Sequence, residues 1–306
     1  MPMAIDRSTR IEFTAGGDTV TLTSADEDGA VRLGLITGGG EAVPSWGRYV
    51  RAVRDLVPAP RGIDGHITSD IPVGAGLSSS AALEVATALA LGFDGSPTEL
   101  ATLTRAAEHA ATGVPCGIMD QLVISAAREG HAALIDCHSL GITHVPVPAE
   151  LRIVVRFVAR RTLEGSEYAD RVRECAEAEQ RIGPLRSASV ADTSSIPDPV
   201  VRRRARHVVT ENERVRQFAL ALTEGRHNDA GGLMTESHRS LAADFSTSNA
   251  AMDAAVESAL AVPGVLGARM TGGGFGGCIV VLCEPGARVD GWDVRAVDGA
   301  RVEQAG

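Results

Sequence analysis

Alternating apolar and polar positions open the chain. Residues 10–24 and 30–36 (RIEFTAGGDTVTLTS and AVRLGLI) carry β-branched residues around Gly16-Gly17, the pattern of early strands. The period then lengthens, and a helix is predicted from about Trp46 to Leu56, ended by Pro58-Ala59-Pro60. GIDGHITSDIPVG reads as a further strand. Three helical stretches follow at about 79–91, 97–112 and 117–128, then a strand HAALID and a turn CHSLG. RIVVRFVA at 152–159 reads as a strand entering a second half. That half is mostly helical, with EGSEYADRVRECAEAEQRI, a long segment from Asp198 to Thr223, and stretches at 233–245 and 249–261. It closes with LGARM and CIVVLCE, two strands around a glycine turn, and a last strand near VRAVDG. SASVADTSSIPDP (187–199) reads as a surface loop. Strands and helices segregate without a regular βαβ rhythm, so the predicted class is α+β in two lobes.

Length and composition fit this picture: 306 residues at 44% hydrophobic composition can build two ordinary cores. No run of about eighteen apolar residues has the flanks of a membrane span, and MPMAIDRSTR lacks the apolar core of a signal peptide, so the cytoplasm is expected. A net charge of −10 argues against nucleic acid or an anionic membrane as partner. Cys116, Cys137, Cys175, Cys278 and Cys283 are odd in number and scattered, which fits neither a disulfide framework nor a zinc cage; they read as small buried hydrophobes. One count sharpens the chemistry. All 29 basic residues are arginine. A Walker-type lysine and a Schiff-base lysine are therefore excluded, and any phosphate must be handled by backbone amides, arginine or metal.

Three stretches carry candidate chemistry. In IPVGAGLSSSAALEVATALAL (71–91), Gly74 and Gly76 let the backbone bend, and Ser78, Ser79 and Ser80 offer capping hydroxyls to a helix beginning near Ser79. Amides converging at such a helix start can bind phosphate without a cationic side chain, and a third hydroxyl is left over for a nucleotide's Mg²⁺. An ordinary capped core helix has the same signature, so spacing leaves both readings open. In RAAEHAATGVPCGIMDQ, Glu108 and Asp120 flank a Gly-Val-Pro-Cys-Gly turn and can face one pocket, though Asp120 alone also reads as a helix-end carboxylate. In GARMTGGGFGGCIVVL, Gly272, Gly274 and Gly277 satisfy G-x-G-x-x-G, but a strand follows where a dinucleotide fold needs a helix. Close packing of this loop on the phosphate-binding stretch is the better expectation.

Together these stretches resemble the GHMP small-molecule kinases, in particular their galactokinase branch. PVGAGLSSSAALEVA is similar to the family's phosphate loop, AAEHAATGVPCGIMDQ to its catalytic segment and GARMTGGGFGGC to its C-terminal glycine motif. GSEYADRVREC (165–175), RHVVTENERV (206–215) and PSWGRYVRAV (44–53) resemble the galactokinase branch more than mevalonate or homoserine kinases. The resemblance implies a ribosomal protein S5 domain 2-like N-terminal lobe over 1–158 and a ferredoxin-like C-terminal lobe over 159–306. It also implies phosphoryl transfer from ATP with Mg²⁺ to the C1 hydroxyl of galactose. Asp120 and Gly117 would then lie beside the sugar with Tyr168, and Ser80 and Glu108 would ligate Mg²⁺. The phosphates would rest on Gly74, Ala75, Gly76, Leu77, Ser78, Ser79 and Ser80, with Trp46 near the adenine. A monomer is expected.

Two departures from the family stand out. The segment resembling G-R-V-N-L-I-G-E-H-T-D-Y is absent, so the chain is expected to begin inside the first domain. RFVARR at 156–161 replaces the small hydroxyl residue and histidine found in the family. A non-catalytic relative that binds sugar and nucleotide is therefore the alternative reading. Arg202, Arg203 and Arg204 read as a solvated helix face, and His66, His131 and His227 as ordinary surface or core histidines.

Overall fold

Strand alternation and helical stripes give the elements their boundaries in the computed structural model, which describes residues 1–36, 41–72, 74–160 and 167–304. In chain order they are β1 (Thr9–Ala15), β2 (Thr19–Ser24), β3 (Ala30–Gly34), α1 (Gly47–Leu56), β4 (Ile63–Ser69), α2 (Ser79–Ala90), α3 (Pro97–Thr112), α4 (Met119–Ala126), β5 (His131–Asp136) and β6 (Gly141–Pro146). There follow β7 (Arg152–Ala159), α5 (Tyr168–Ile182), α6 (Val190–Thr193), α7 (Pro199–Thr223), α8 (His227–Ser240), a π-turn (Leu241–Phe245), α9 (Ala250–Leu260), β8 (Val265–Met270), β9 (Gly277–Cys283) and β10 (Trp292–Val294). The class is α+β. None of these helices is long and apolar enough to cross a membrane.

The chain forms two compact units. One comprises Pro2–Val73, Ser78–His144 and Ala296–Gly306. Its main sheet runs β1-β4-β2-β3, with β2 parallel to β4 and the other pairs antiparallel. The inward positions of β2 and β3 (Val20, Leu22, Val31, Leu33) meet Val50 and Val53 of α1 and Val85 and Ala88 of α2 in a single core. The last segment of the chain returns to this unit: Ile5 bridges Ala296, and the Val297 amide donates to the Ala4 carbonyl at 3.0 Å.

The other unit comprises Val145–Arg295 together with Gly74–Leu77, so β7 lies wholly within it. Its antiparallel sheet runs β10-β7-β9-β8, with Val154, Ala268, Met270, Ile279 and Val281 packed on Met252 and Val256 of α9. Helix α8 approaches β8 backbone to backbone. A Cβ on Gly231 would lie 2.1 Å from the Leu266 carbonyl oxygen, and one on Gly267 would lie 2.0 Å from that of Gly231.

Several expectations are corrected here. The supposed loop at 187–199 holds α6, started by a capping box in which Ser189 and Asp192 exchange hydrogen bonds, and Ile196 within it is buried. The strand β6 was not foreseen, and α8 begins six residues before the predicted 233 and passes into the π-turn. Arg204 is no solvated residue: it is 4% exposed. Its Nε contacts Glu174 Oε2 at 2.8 Å, and its Nη1 donates to the Asp244 carbonyl at 2.6 Å and Ser246 Oγ at 2.9 Å. Arg171 reaches the same Glu174 oxygen at 2.8 Å, so one carboxylate ties α5, α7 and the π-turn together. All five cysteines are free, but only Cys278 and Cys283 are buried, and Cys137 is exposed.

Two measurements test this unit. Burial pushes the His207 imidazole down to about 4, with Arg214 and Arg269 acting the same way against the charge of Glu211. The ring stacks on Phe245 at 4.5 Å and bonds Ser240 through Nδ1 at 2.9 Å. The unfolded chain therefore binds the extra proton between about pH 6.5 and 4, and stability falls with pH across that window by on the order of 3 kcal/mol. His207→Gln is expected to flatten this part of a denaturant-midpoint against pH curve; an unchanged slope contradicts the assignment. Gly231→Ala is expected to lower stability by about 2–3 kcal/mol through overpacking. Gly232→Ala, where an added Cβ meets nothing within 4 Å, is expected to raise it by about 0.5–1 kcal/mol. Equal effects of the two substitutions would refute the close approach.

Candidate functional site

The turn before α2 is built from residues in left-handed backbone. Positive φ recurs at every second residue, at Gly74 (74°), Gly76 (74°) and Ser78 (61°). Alternating left-handed residues are a backbone form suited to anions, as is a helix start. Ser78 is the N-cap of α2, yet its side chain makes no capping bond. The serines were expected to cap; instead, the third hydroxyl leaves the helix axis. Ser80 Oγ donates to Glu108 Oε1 at 2.9 Å.

Glu108 lies one turn before the end of α3, which Gly113 closes in left-handed conformation. The following turn is pinned from α3: Arg105 Nε donates to the Cys116 carbonyl at 3.2 Å, and His109 Nε2 donates to the same oxygen at 2.9 Å. This fixes the start of α4, where Asp120 sits in the first turn and is stabilised by the helix dipole. Gln121, the next residue, donates through Nε2 to Glu108 Oε2 and, at 3.4 Å, to Glu84 Oε2. The Cys116 thiol lies 3.5 Å from Glu108 Oε2. Burial pushes this thiol up to about 12, helped by the Glu108 charge, so it is no nucleophile near neutral pH.

Ser80, Glu108, Asp120, Gly117 and Trp46 belong to one compact unit; Ser80 and Gln121 both bond Glu108, and Asp120 precedes Gln121 at the start of α4. Gly117 is exposed, and a Cβ there would meet nothing within 4 Å. Trp46 is 8% exposed and packs in the core under α1, its Nε1 donating to the Asp28 carbonyl at 3.1 Å. Gly74–Leu77 and Tyr168, the first residue of α5, belong to the other unit, as does the glycine loop 272–277. In that loop a Cβ on Gly274 would lie 2.5 Å from the Thr247 carbonyl, whose oxygen accepts from the Phe275 amide at 2.7 Å. The close backbone approach expected of these glycines is therefore made to Thr247. Residues 161–166 lie outside the described residues, which removes Arg161 and the start of GSEYADRVREC from this account.

Sequence reasoning missed Glu84 and Gln121. Both are fully buried, and burial together with the neighbouring Glu108 charge pushes the Glu84 carboxyl up to about 9. The available signal was a lone acidic residue, one turn after Ser80, in an otherwise apolar helix.

The donor set also bears on metal. Neighbouring corners of an octahedron with bonds of about 2.1 Å stand about 3 Å apart. The Ser80 and Glu108 oxygens, 2.9 Å apart, have that spacing and the hard-oxygen chemistry that Mg²⁺ takes. Among the described residues no group of three or more His, Cys, Asp or Glu forms a metal cage, so the donors suit an ion that brings ligands of its own.

Comparison with known proteins agrees with this geometry. The family models for the GHMP kinases N terminal domain and the GHMP kinases C terminal match residues 47–128 and 218–291. The galactokinase of Homo sapiens is 40% identical over 308 residues, covering 94% of this chain and 79% of the relative. That of Chloroflexus aurantiacus is 40% identical over 323 residues, covering 97% and 81%. The crystal structure of Lactococcus lactis galactokinase complexed with galactose superposes with a TM-score of 0.88 at 28% identity, covering 97% of this chain and 87% of that one. A mevalonate kinase shares the fold alone, with a TM-score of 0.65 at 20% identity. With both family models matched and relatives 40% identical over most of their length, the chain belongs to the galactokinase branch of the GHMP kinase family and is an ATP-dependent sugar kinase.

Proposed function

We propose that the chain transfers the γ-phosphoryl group of ATP to the C1 hydroxyl of galactose. The observation that carries this reading is the Ser80–Glu108 hydrogen bond, which joins the start of α2 to the end of α3. Gly74 to Ser80 cradle the phosphates through backbone amides, as a chain without lysine requires. Ser80 and Glu108 hold the nucleotide's Mg²⁺, which when bound neutralises charge on the phosphate oxygens. Gly117 leaves room for the sugar, which Tyr168 contacts. Trp46, being buried, supports the adenine side of the site from beneath rather than offering a stacking face.

Asp120 lies beside the sugar and accepts the C1 hydroxyl's hydrogen. As the O1–Pγ bond forms, the bond from Pγ to the bridging oxygen of ADP breaks, and the proton passes to the Asp120 carboxylate. The products are galactose 1-phosphate and ADP. Positioning and charge compensation supply most of the rate in such a transfer, which is why rigid elements on both sides of the Gly113–Gly117 turn matter. We assign the nucleotide's metal to the unit that holds Ser80 and Glu108, place the body of the C-terminal domain in Val145–Arg295 rather than beyond 158, and take the chain to act as a cytoplasmic monomer.

Asp120→Asn preserves shape and removes the charge. Phosphorylation of galactose, followed by ADP release, is expected to fall by roughly 10²–10⁴-fold, the usual worth of a general base. Affinity for a non-hydrolysable ATP analogue should stay within about twofold. Near-normal turnover by this variant would remove Asp120 from the reaction, and loss of nucleotide affinity instead would move it to the ATP side.

A further inference from the structure

Two fully buried polar side chains stand behind Glu108 and take no part in the step just described. Glu84 lies on α2 one turn after Ser80, and Gln121 follows Asp120 on α4. The helices that carry the outer groups therefore carry an inner pair as well. A hydrocarbon would be easier to bury at either position. What the polar pair adds is direction.

The two oxygens of Glu108 have different surroundings. Oε2 accepts the Gln121 amide and faces the Cys116 thiol at 3.5 Å, while Oε1 accepts the Ser80 hydroxyl at 2.9 Å. The carboxylate is thus anchored by one oxygen and presents the other beside Ser80. Gln121 turns the donor end of its amide to Glu108, because the amide oxygen would be repelled there. Glu84 Oε2 lies 3.4 Å from the same Nε2 and marks the amide end that points inward.

We infer that Gln121, braced by Glu84, is a positioning residue that holds the Glu108 carboxylate turned toward the Ser80 hydroxyl, in the orientation the nucleotide's Mg²⁺ requires. This rests on the assignment of Ser80 and Glu108 to that ion, and the experiment separates the two claims. Mn²⁺ substitutes for Mg²⁺, and its binding in the presence of a non-hydrolysable ATP analogue is followed by loss of the free-ion electron paramagnetic resonance signal. Glu108→Gln is the reference. Gln121→Met, which keeps the volume but has no donor, and Glu84→Leu are expected to weaken Mn²⁺ binding by roughly 10–100-fold, the range for groups that orient a metal ligand. The KM for galactose should stay within about twofold. Glu84→Gln should recover most of the affinity that Glu84→Leu loses.

Should Gln121→Met fail to fold, Gln121→Asn carries the test, since it withdraws the amide from Glu108 and should show the same loss. If Glu108→Gln weakens Mn²⁺ binding and the Gln121 and Glu84 variants do not, the positioning role is overturned and the Glu108 assignment stands. A purely structural pair would lower the melting temperature and leave Mn²⁺ affinity of the folded protein unchanged, which equally overturns it. If Glu108→Gln leaves Mn²⁺ binding unchanged, the assignment of Glu108 fails and the inference falls with it.

Discussion

The hydrogen bond from Ser80 to Glu108 fixes the start of one helix against the end of another. Everything proposed for the phosphate end of the site depends on that junction. A chain whose basic residues are all arginine has no lysine to place at a phosphate, which leaves amides, arginine or a metal ion to meet the charge, and the proposed site uses amides and metal. The amides are supplied by left-handed backbone at alternate positions, one of them a serine, where this conformation costs a residue with a Cβ of order 1 kcal/mol or more. Such backbone persists only where its surroundings over-determine it. The Ser80 hydrogen bond to the anchored Glu108 and the buried Ala81 do so from the helix side.

The rest of the nucleotide-side unit follows from holding three helix ends still. Arg105 and His109 share the Cys116 carbonyl, so the turn between α3 and α4 is fastened to α3 rather than left to solvent. Asp120 inherits its position from that turn, and Gln121 couples it to the Glu108 carboxylate. The other unit uses a comparable device for a different element: Glu174 joins Arg171 and Arg204, and their remaining donors take the carbonyls of a π-turn that no regular helix would satisfy. In both units polar contacts fix geometry where hydrophobic packing alone would not choose between orientations.

Much of this was legible in the sequence because periodicity is a local signal. The strands β2 and β3 alternate cleanly, and the helical stretch expected at 97–112 is α3. The glycine-serine stretch and the Glu108/Asp120 pair were readable as candidate chemistry for the same reason. What failed was tertiary. α6 is four residues long and its capping box hides in a Ser/Asp/Pro-rich run, and β6 carries too few apolar residues to declare a face. Arg204 looked solvated because its neighbours Arg202 and Arg203 are charged too; only the Glu174 carboxylate arriving from α5 explains its burial. Ser78 was read as a capping side chain, whereas its backbone, not its hydroxyl, shapes the turn. Glu84 and Gln121 left almost no trace, since a single polar residue in an apolar helix does not say what it will meet.

The central claim is that Ser80 and Glu108 form the protein's share of a nucleotide-metal site at the mouth of α2. A crystal structure of the chain with Mn²⁺ and a non-hydrolysable ATP analogue, with the ion located by anomalous scattering, tests it most directly. The account predicts a peak about 2.1–2.3 Å from Ser80 Oγ and from Glu108 Oε1, with the β- and γ-phosphates on the amides of residues 74–80. A peak that touches neither oxygen, or phosphates bound away from that turn, would contradict it.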